Sequence, residues 1–235
     1  MSIKDNVDRI TASLAEIALR CGRKPCEITL CAVSKFHPIA AMEEAYAAGV
    51  RIFGENRVQE FYPKVRDWDK LRAAGSPDVE IHMIGPLQRN KVKKTLECCS
   101  LVQSVDRDEL IDELDKTAAA MGKTQGILFE INSGEDAKSG YADKAAFFRG
   151  VEKALSSRHL RVEGLMTMAP LTDNEKAVRA AFRGLYTLRE EAGTRYPEVQ
   201  WKILSMGMSG DYPIAIEEGA TMVRIGTAIF GERQP

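Results

Sequence analysis

The run Ile28-Thr29-Leu30-Cys31-Ala32-Val33-Ser34-Lys35-Phe36-His37-Pro38 separates two fold classes that otherwise look alike. Its first half is apolar and β-branched and reads as a strand; the amphipathic residues 39–48 behind it read as a helix. Such a unit opens either a doubly wound sheet or a barrel. The dinucleotide-binding version of the open sheet needs a glycine-rich turn, so that main chain can approach a pyrophosphate. Here the turn is Ser34-Lys35-Phe36-His37, without glycine, and a reactive side chain stands in its place.

Outward from that unit the alternation repeats. Strand signals fall at residues 28–34, 50–54, 80–84, 101–104, 126–131, 161–166, 200–204 and 222–225, and eight is the barrel number. Helical periodicity is clear at 39–48, 108–121, 144–155 and 175–192. A further helix over 2–21 precedes the first strand, with Val7, Ile10, Leu14, Ile17 and Ala18 as one apolar stripe for the barrel's outside or bottom. A chain of 235 residues is an ordinary size for one barrel. The expectation is a single α/β domain over residues 1–235, a (β/α)₈ TIM barrel with an extra N-terminal helix.

In barrel enzymes chemistry gathers where strands end and βα loops begin. Those positions hold Lys35, then Gly54-Glu55-Asn56-Arg57, then Asn132, then Ser205-Met206-Gly207-Met208-Ser209-Gly210-Asp211, and finally Arg224-Ile225-Gly226-Thr227. Alternation puts Lys35 on the face of Cys31 and Val33, which is either the barrel interior or its helix-covered wall. A lysine there loses hydration, and its amine becomes available to attack a carbonyl, unless it snorkels past the strand end to water. The last two loops have the small residues and hydroxyls that let backbone N–H groups cradle an anion, or they are ordinary glycine turns. Arg224, between Val223 and Ile225, needs a partner: an internal ion pair with Glu55 or Asp211, or a ligand acceptor. Asn56 and Asn132 either orient a ligand or satisfy loop backbone; His82 reads as a satisfied rim histidine, and Arg89, Lys91, Lys93 and Lys94 as a solvated face.

Composition excludes several classes. Thirty-three lysines and arginines against 34 aspartates and glutamates leave no strong field for nucleic acid or an anionic membrane. The opening MSIKDNVDRI lacks the apolar core of a secretion signal, and no run approaches the roughly 18 apolar residues of a span, so a cytoplasmic location is expected. Cys21, Cys26, Cys31, Cys98 and Cys99 fit no zinc spacing and read as reduced thiols; no metal is expected.

Several motifs, taken in order, resemble one family. They are Ala32-Val33-Ser34-Lys35, Phe53-Gly54-Glu55-Asn56-Arg57-Val58-Gln59-Glu60, His82-Met83-Ile84-Gly85-Pro86-Leu87-Gln88-Arg89-Asn90-Lys91, Leu204-Ser205-Met206-Gly207-Met208-Ser209-Gly210-Asp211 and Arg224-Ile225-Gly226-Thr227-Ala228-Ile229-Phe230-Gly231. Together they resemble the pyridoxal phosphate homeostasis proteins, the YggS or PROSC family, over nearly the whole chain. The resemblance implies a barrel like the N-terminal domain of alanine racemase (PLP fold type III), with pyridoxal 5′-phosphate as cofactor and Lys35 as its Schiff-base lysine. It implies phosphate contacts from Ser209 and the Gly226-Thr227 backbone, and Arg224 facing the pyridine nitrogen. Asn56 and Met206 complete the expected cofactor-binding set. Phe36-His37 departs from the small or polar residues more usual after the lysine.

The implied role is to bind pyridoxal phosphate, limit the free aldehyde and deliver it to apo-enzymes, without a dedicated catalytic reaction. A pyridoxal phosphate-dependent amino-acid racemase is the alternative. Alanine racemase takes its second base, a tyrosine, from a partner's additional β-domain, and this chain, ending at Pro235, is expected to lack that domain. A monomer is expected, with pyridoxal phosphate and apo-enzymes as partners and neither nucleic acid nor membrane.

Overall fold

In a computed structural model of the chain, which describes residues 2–72, 78–134 and 139–232, the opening helix α1 spans Ile3–Arg20. Ser2 and Asp5 close its N-terminus as a reciprocal capping box. Strand and helix then alternate: β1 (Thr29–Val33), α2 (Ile39–Ala47), β2 (Ile52–Glu55), α3 (Val58–Arg72), β3 (Glu80–Met83), α4 (Val92–Cys98), β4 (Leu101–Val105), α5 (Asp108–Ala120), β5 (Gln125–Ile131), α6 (Lys144–Ser156), β6 (Leu160–Thr167), α7 (Glu175–Arg195), β7 (Ile203–Ser205), α8 (Tyr212–Glu217), β8 (Met222–Ile225) and α9 (Thr227–Phe230). All pairings are parallel, and β8 pairs with β1 to close an eight-stranded barrel. The barrel and its extra helix follow the sequence expectation.

Side-chain alternation divides the apolar residues into two groups. Ala32, Phe53, Ile81, Val102, Phe129, Leu165, Leu204 and Val223 point outward and pack with the helices in one continuous core. The inner face holds a much smaller apolar group, Leu101, Leu128 and Met166. Cys31, Val33 and polar side chains share the remaining interior: Gln103 of β4 bonds Ser205 of β7, a contact between non-neighbouring strands that has to cross the barrel. The stripe of α1 is buried on the outside, against α2, α8 and α9, so its place is the wall and not the bottom.

Among the strands, the largest displacement from the predicted boundaries is in β7, expected at 200–204 and found at Ile203–Ser205. Trp201 takes a φ of +28°, which breaks the extended run before it can pair. Its ring is buried edge-on to Phe147 at 6.3 Å, and its Nε1 donates to Tyr196 O at 3.3 Å. Helix packing therefore claims these residues. β2 also starts late, because Val50 N returns to Ala45 O at the end of α2.

The β5–β6 register slips between Ile127 and Leu128, leaving Glu163 as a bulge before Gly164. Gly164 has φ +153°, and a Cβ there would lie 1.9 Å from Ile203 O of β7. Gly164→Ala is expected to cost roughly 2–4 kcal/mol, since strain and the clash both act against it. Urea unfolding measures this; a loss below about 0.5 kcal/mol would mean that β6 and β7 separate freely.

Among the described residues no helix is long and apolar enough to cross a membrane. No group of three or more His, Cys, Asp or Glu among them is placed to hold a metal ion, and the cysteines are thiols.

Candidate functional site at the barrel mouth

Lys35 sits half-buried in the turn after β1, where His37 N donates to Ser34 O at 3.1 Å. Register fixes which face it continues. Cys31 pairs with Arg224 across the β1–β8 seam, and a Cβ on Gly54 would lie 3.0 Å from Cys31 Sγ, whereas Ala32 belongs to the outer core. Cys31 and Val33 thus line the interior, and the strand delivers its lysine at the inner edge of the mouth. Burial pushes the Cys31 thiol up to about 12, so it stays protonated. Phe36 adopts a left-handed φ of +67° and donates its N–H to the Glu60 carboxylate. That contact offsets strain in a bulky residue and fixes the turn.

Beneath the turn lies a charged cluster. The Lys64 ammonium donates to Ser34 O at 3.2 Å, Glu55 Oε1 at 3.2 Å and Glu60 Oε1 at 2.9 Å. Ser34 Oγ donates to the same Glu55 oxygen at 2.8 Å, while Glu55 Oε2 is buried with no partner. Burial raises the Glu55 pKa against the opposing pull of Lys64. A cleft of about 1120 Å³, lined by Phe36, Asn56, Arg57, Lys64, Gln88 and Lys91, opens beside it.

The two glycine-rich loops are joined directly. Ser209 Oγ accepts from Ala228 N at 3.3 Å, tying the β7 loop to the start of α9. Asp211 Oδ1 accepts from Met208 N at 2.5 Å and shapes the first loop. Gly207, at φ +93°, leaves no room for a side chain: a Cβ would lie 2.6 Å from Ala215 Cβ. A Cβ on Gly226 would come 3.2 Å from Val33, two residues before Lys35. The amine-bearing turn and the joined loops are therefore neighbours across one seam.

Arg224 is 4% exposed and points inward. Its Nη1 donates to Ser205 Oγ at 2.8 Å and its Nη2 to Thr167 O at 2.9 Å, both neutral acceptors. Of the two ion pairs considered for it, Glu55 is engaged by Lys64, and Asp211 acts on its loop main chain. Burial lowers the Arg224 pKa from its usual value, but a guanidinium remains a cation across the physiological range.

The other predicted residues divide. Asn56 borders the cleft and packs on Gly85, where a Cβ would lie 2.6 Å from Asn56 O. Thr227 is exposed at the first position of α9. Met206 is fully buried in the outer core, so its side chain serves packing and leaves only main chain for a ligand. Asn132 Oδ1 accepts from Gly134 N at 2.7 Å, satisfying its own loop. His82 is satisfied, but it is 2% exposed inside the barrel and not at the rim. In the basic run, Lys94 lies 5.3 Å from the Tyr62 ring, Arg89 is 3.8 Å from Glu113, and Lys91 borders the cleft. Sequence reasoning missed Lys64 and Gln103 as structural partners of the site, and read Ser205 only as part of the anion-binding loop. Gln103 had one usable signal, an amide on the inner face of an apolar strand.

Residues 6–234 match the family described as alanine racemase, N-terminal domain. The chain is 38% identical over 234 residues to the pyridoxal phosphate homeostasis protein of Aquifex aeolicus, covering 100% of both chains. It is 39% identical over 241 residues to that of Escherichia coli K12, covering 98% of this chain and 97% of that one. Among solved structures, PipY of Synechococcus elongatus, with PLP bound, superposes with a TM-score of 0.81 at 37% identity over 93% of this chain and 100% of its own. Alanine racemase of Clostridium difficile, at 16% identity and a TM-score of 0.71, shares the fold, and this chain spans 57% of it. A full-length match of this kind, on a closed barrel with these mouth residues, means that the chain belongs to the alanine racemase N-terminal domain family and, within it, to the pyridoxal phosphate homeostasis proteins.

Proposed function

We propose that the protein binds pyridoxal 5′-phosphate at the barrel mouth and acts as a cofactor reservoir, buffering the free aldehyde and passing it to apo-enzymes, without catalytic turnover of its own. The observation that carries this reading is the seam between β1 and β8. It sets a half-buried lysine beside two loops already joined by Ala228 N and Ser209 Oγ. The donor set fits the group: an amine for the aldehyde, loop hydroxyls and amides for the phosphate, and a buried guanidinium for the ring. When bound, the cofactor supplies an electrophilic carbonyl carbon that a primary amine attacks.

The chain's own residues then have distinct tasks. Lys35 supplies the amine, and the Glu60 contact to Phe36 N holds its turn in place. Ser209, Gly226 and Thr227 receive the phosphate, while Asn56 and the Met206 main chain border the site. Arg224 would face the pyridine nitrogen with a group that only donates, which would disfavour protonation of the ring. The naming of the relatives for homeostasis and the PLP bound to PipY support the same reading.

Ser209→Ala and Thr227→Ala are each expected to weaken cofactor affinity roughly ten- to a hundredfold, since each removes one or two hydrogen bonds to a dianion at about 1.5–3 kcal/mol. Equilibrium dialysis reads the change, with melting temperature as the control for folding. Unchanged affinity in both variants would move the phosphate elsewhere. The reservoir role is tested by mixing loaded protein with an apo-enzyme in the presence of a trap for released aldehyde. Reactivation faster than the trapped free-cofactor control supports delivery, and reactivation no faster than that control reduces the role to buffering.

A further inference from the structure

We infer that Gln103 and His82, neither of which reaches the mouth, are positioning residues that lock Arg224 in a single hydrogen-bonding orientation. The inference rests on the proposed contact between Arg224 and the cofactor ring. Its basis is a chain of side chains running down the inside of the barrel. Arg224 Nη1 donates to Ser205 Oγ at 2.8 Å, and Ser205 Oγ donates to Gln103 Oε1 at 2.6 Å. Gln103 Nε2 lies 2.9 Å from His82 Nδ1, and His82 Nε2 lies 3.3 Å from Glu80 Oε2. Ser100 Oγ donates to that same Glu80 oxygen at 3.0 Å, at the barrel floor. Gln103 and Ser205 are fully buried and His82 is 2% exposed, so water does not scramble the links among them, while the Glu80 side chain at the floor is 54% exposed.

The donor count of each group gives the chain one polarity. Hydrogen bonds from His82 and Ser100 hold the Glu80 pKa below its usual value, so it is a carboxylate that only accepts. His82 Nε2 therefore donates its N–H to Glu80, and Nδ1, which faces the donating amide nitrogen of Gln103, is bare. A bare Nδ1 takes the amide N–H of Gln103, which turns Oε1 of Gln103 toward Ser205. Ser205 has one proton, and Oε1 takes it, so the serine can only accept from Arg224. Thr167 O holds the other arm of the guanidinium, and the fork is fixed at two points. An amide flip at Gln103 would set donor against donor at His82, a mismatch that is expensive in a buried network. The carboxylate at the floor thus determines how the arginine near the mouth is held.

The histidine has two nitrogens with separate tasks, and two amide substitutions divide them. In His82→Asn the side-chain oxygen falls where Nδ1 was and still accepts from Gln103. In His82→Gln the amide reaches the Nε2 position, keeping Glu80 and losing Gln103. We expect His82→Asn to keep cofactor affinity within about twofold and to retain the wild-type visible spectrum. His82→Gln and Gln103→Leu should weaken affinity about tenfold and shift the absorption maximum, with pyridoxal phosphate itself as the probe. Melting temperatures identify any variant that simply fails to fold. A purely packing role would affect both His82 variants alike; equal behaviour of the two, or an unchanged spectrum and affinity in a folded Gln103→Leu, would overturn the inference. Borohydride trapping on Lys35 in the wild-type protein separates the two levels. Trapping with indifferent variants refutes only the positioning role, and no trapping in the wild type removes the cofactor reading beneath it.

Discussion

Lys35→Ala is expected to eliminate covalent capture of pyridoxal phosphate and to weaken affinity by at least about a hundredfold, near 2.7 kcal/mol. The reason is geometric. β1 delivers this lysine on the face that Cys31 and Val33 share, and a neighbouring glycine, Gly226, abuts Val33. The nearest described alternative, Lys64, has its nitrogen committed to Ser34 O, Glu55 and Glu60, so it is not available to attack an aldehyde. The variant should remain folded, because Lys35 lies outside the outer core that carries the barrel's packing. Absorbance titration with added cofactor measures the loss. Retained affinity in a folded Lys35→Ala protein would show that another amine, or the phosphate contacts alone, hold the ligand.

The loaded protein is expected to racemise free amino acids at least about a thousandfold more slowly than the ordinary enzyme range of roughly 1–1000 per second. Racemisation needs a base on each face of the α-carbon, and Lys35 could serve only one. The tyrosines are engaged elsewhere. Tyr46 donates to Asp78, Tyr62 to Glu97, Tyr141 to Asp108 and Tyr196 to Glu152, while Tyr212 shares a hydrogen bond with Ser13. Tyr186 packs against Gly219, which precedes β8 at the opposite end of the barrel from the mouth. Burial raises the Tyr141 pKa further from the range of a useful base. His37 lies closest in sequence, stacked on Phe230 at 5.0 Å. Incubation with single enantiomers in deuterated water, followed by chiral separation and α-deuterium uptake, gives the rate. Turnover near 1 per second would contradict the reservoir role, and its loss in His37→Ala would identify the second base.

Much of this architecture was legible because it depends on local pattern. The eight strands follow from β-branched runs, and β8 lies at the residues that its pattern predicts. α1 buries the stripe read from its periodicity. Whether Lys35 faced inward was not legible, since alternation fixes which residues share a face but not which side that face takes. The pairing of Cys31 with the inward Arg224 and the place of Ala32 in the outer core settled it. β7 was misplaced because Gln200-Trp201-Lys202 has strand-like composition, while the tryptophan's burial against α6 dictates its backbone. The partner of Arg224 was open for a related reason: a lone buried cation shows that a partner exists, and only folding brings Ser205 and Thr167 to it. Gln103 and His82 lie 121 and 142 residues from Arg224 along the chain, a separation no motif spans.

The site as a whole stands on where the cofactor becomes attached. Reduction of the loaded wild-type protein with borohydride, followed by proteolysis and peptide mass analysis, reads the attachment point directly. The predicted result is one dominant adduct, on the peptide that carries Lys35. An adduct found mainly on Lys64 or Lys91, or none at all under saturating cofactor, would contradict it.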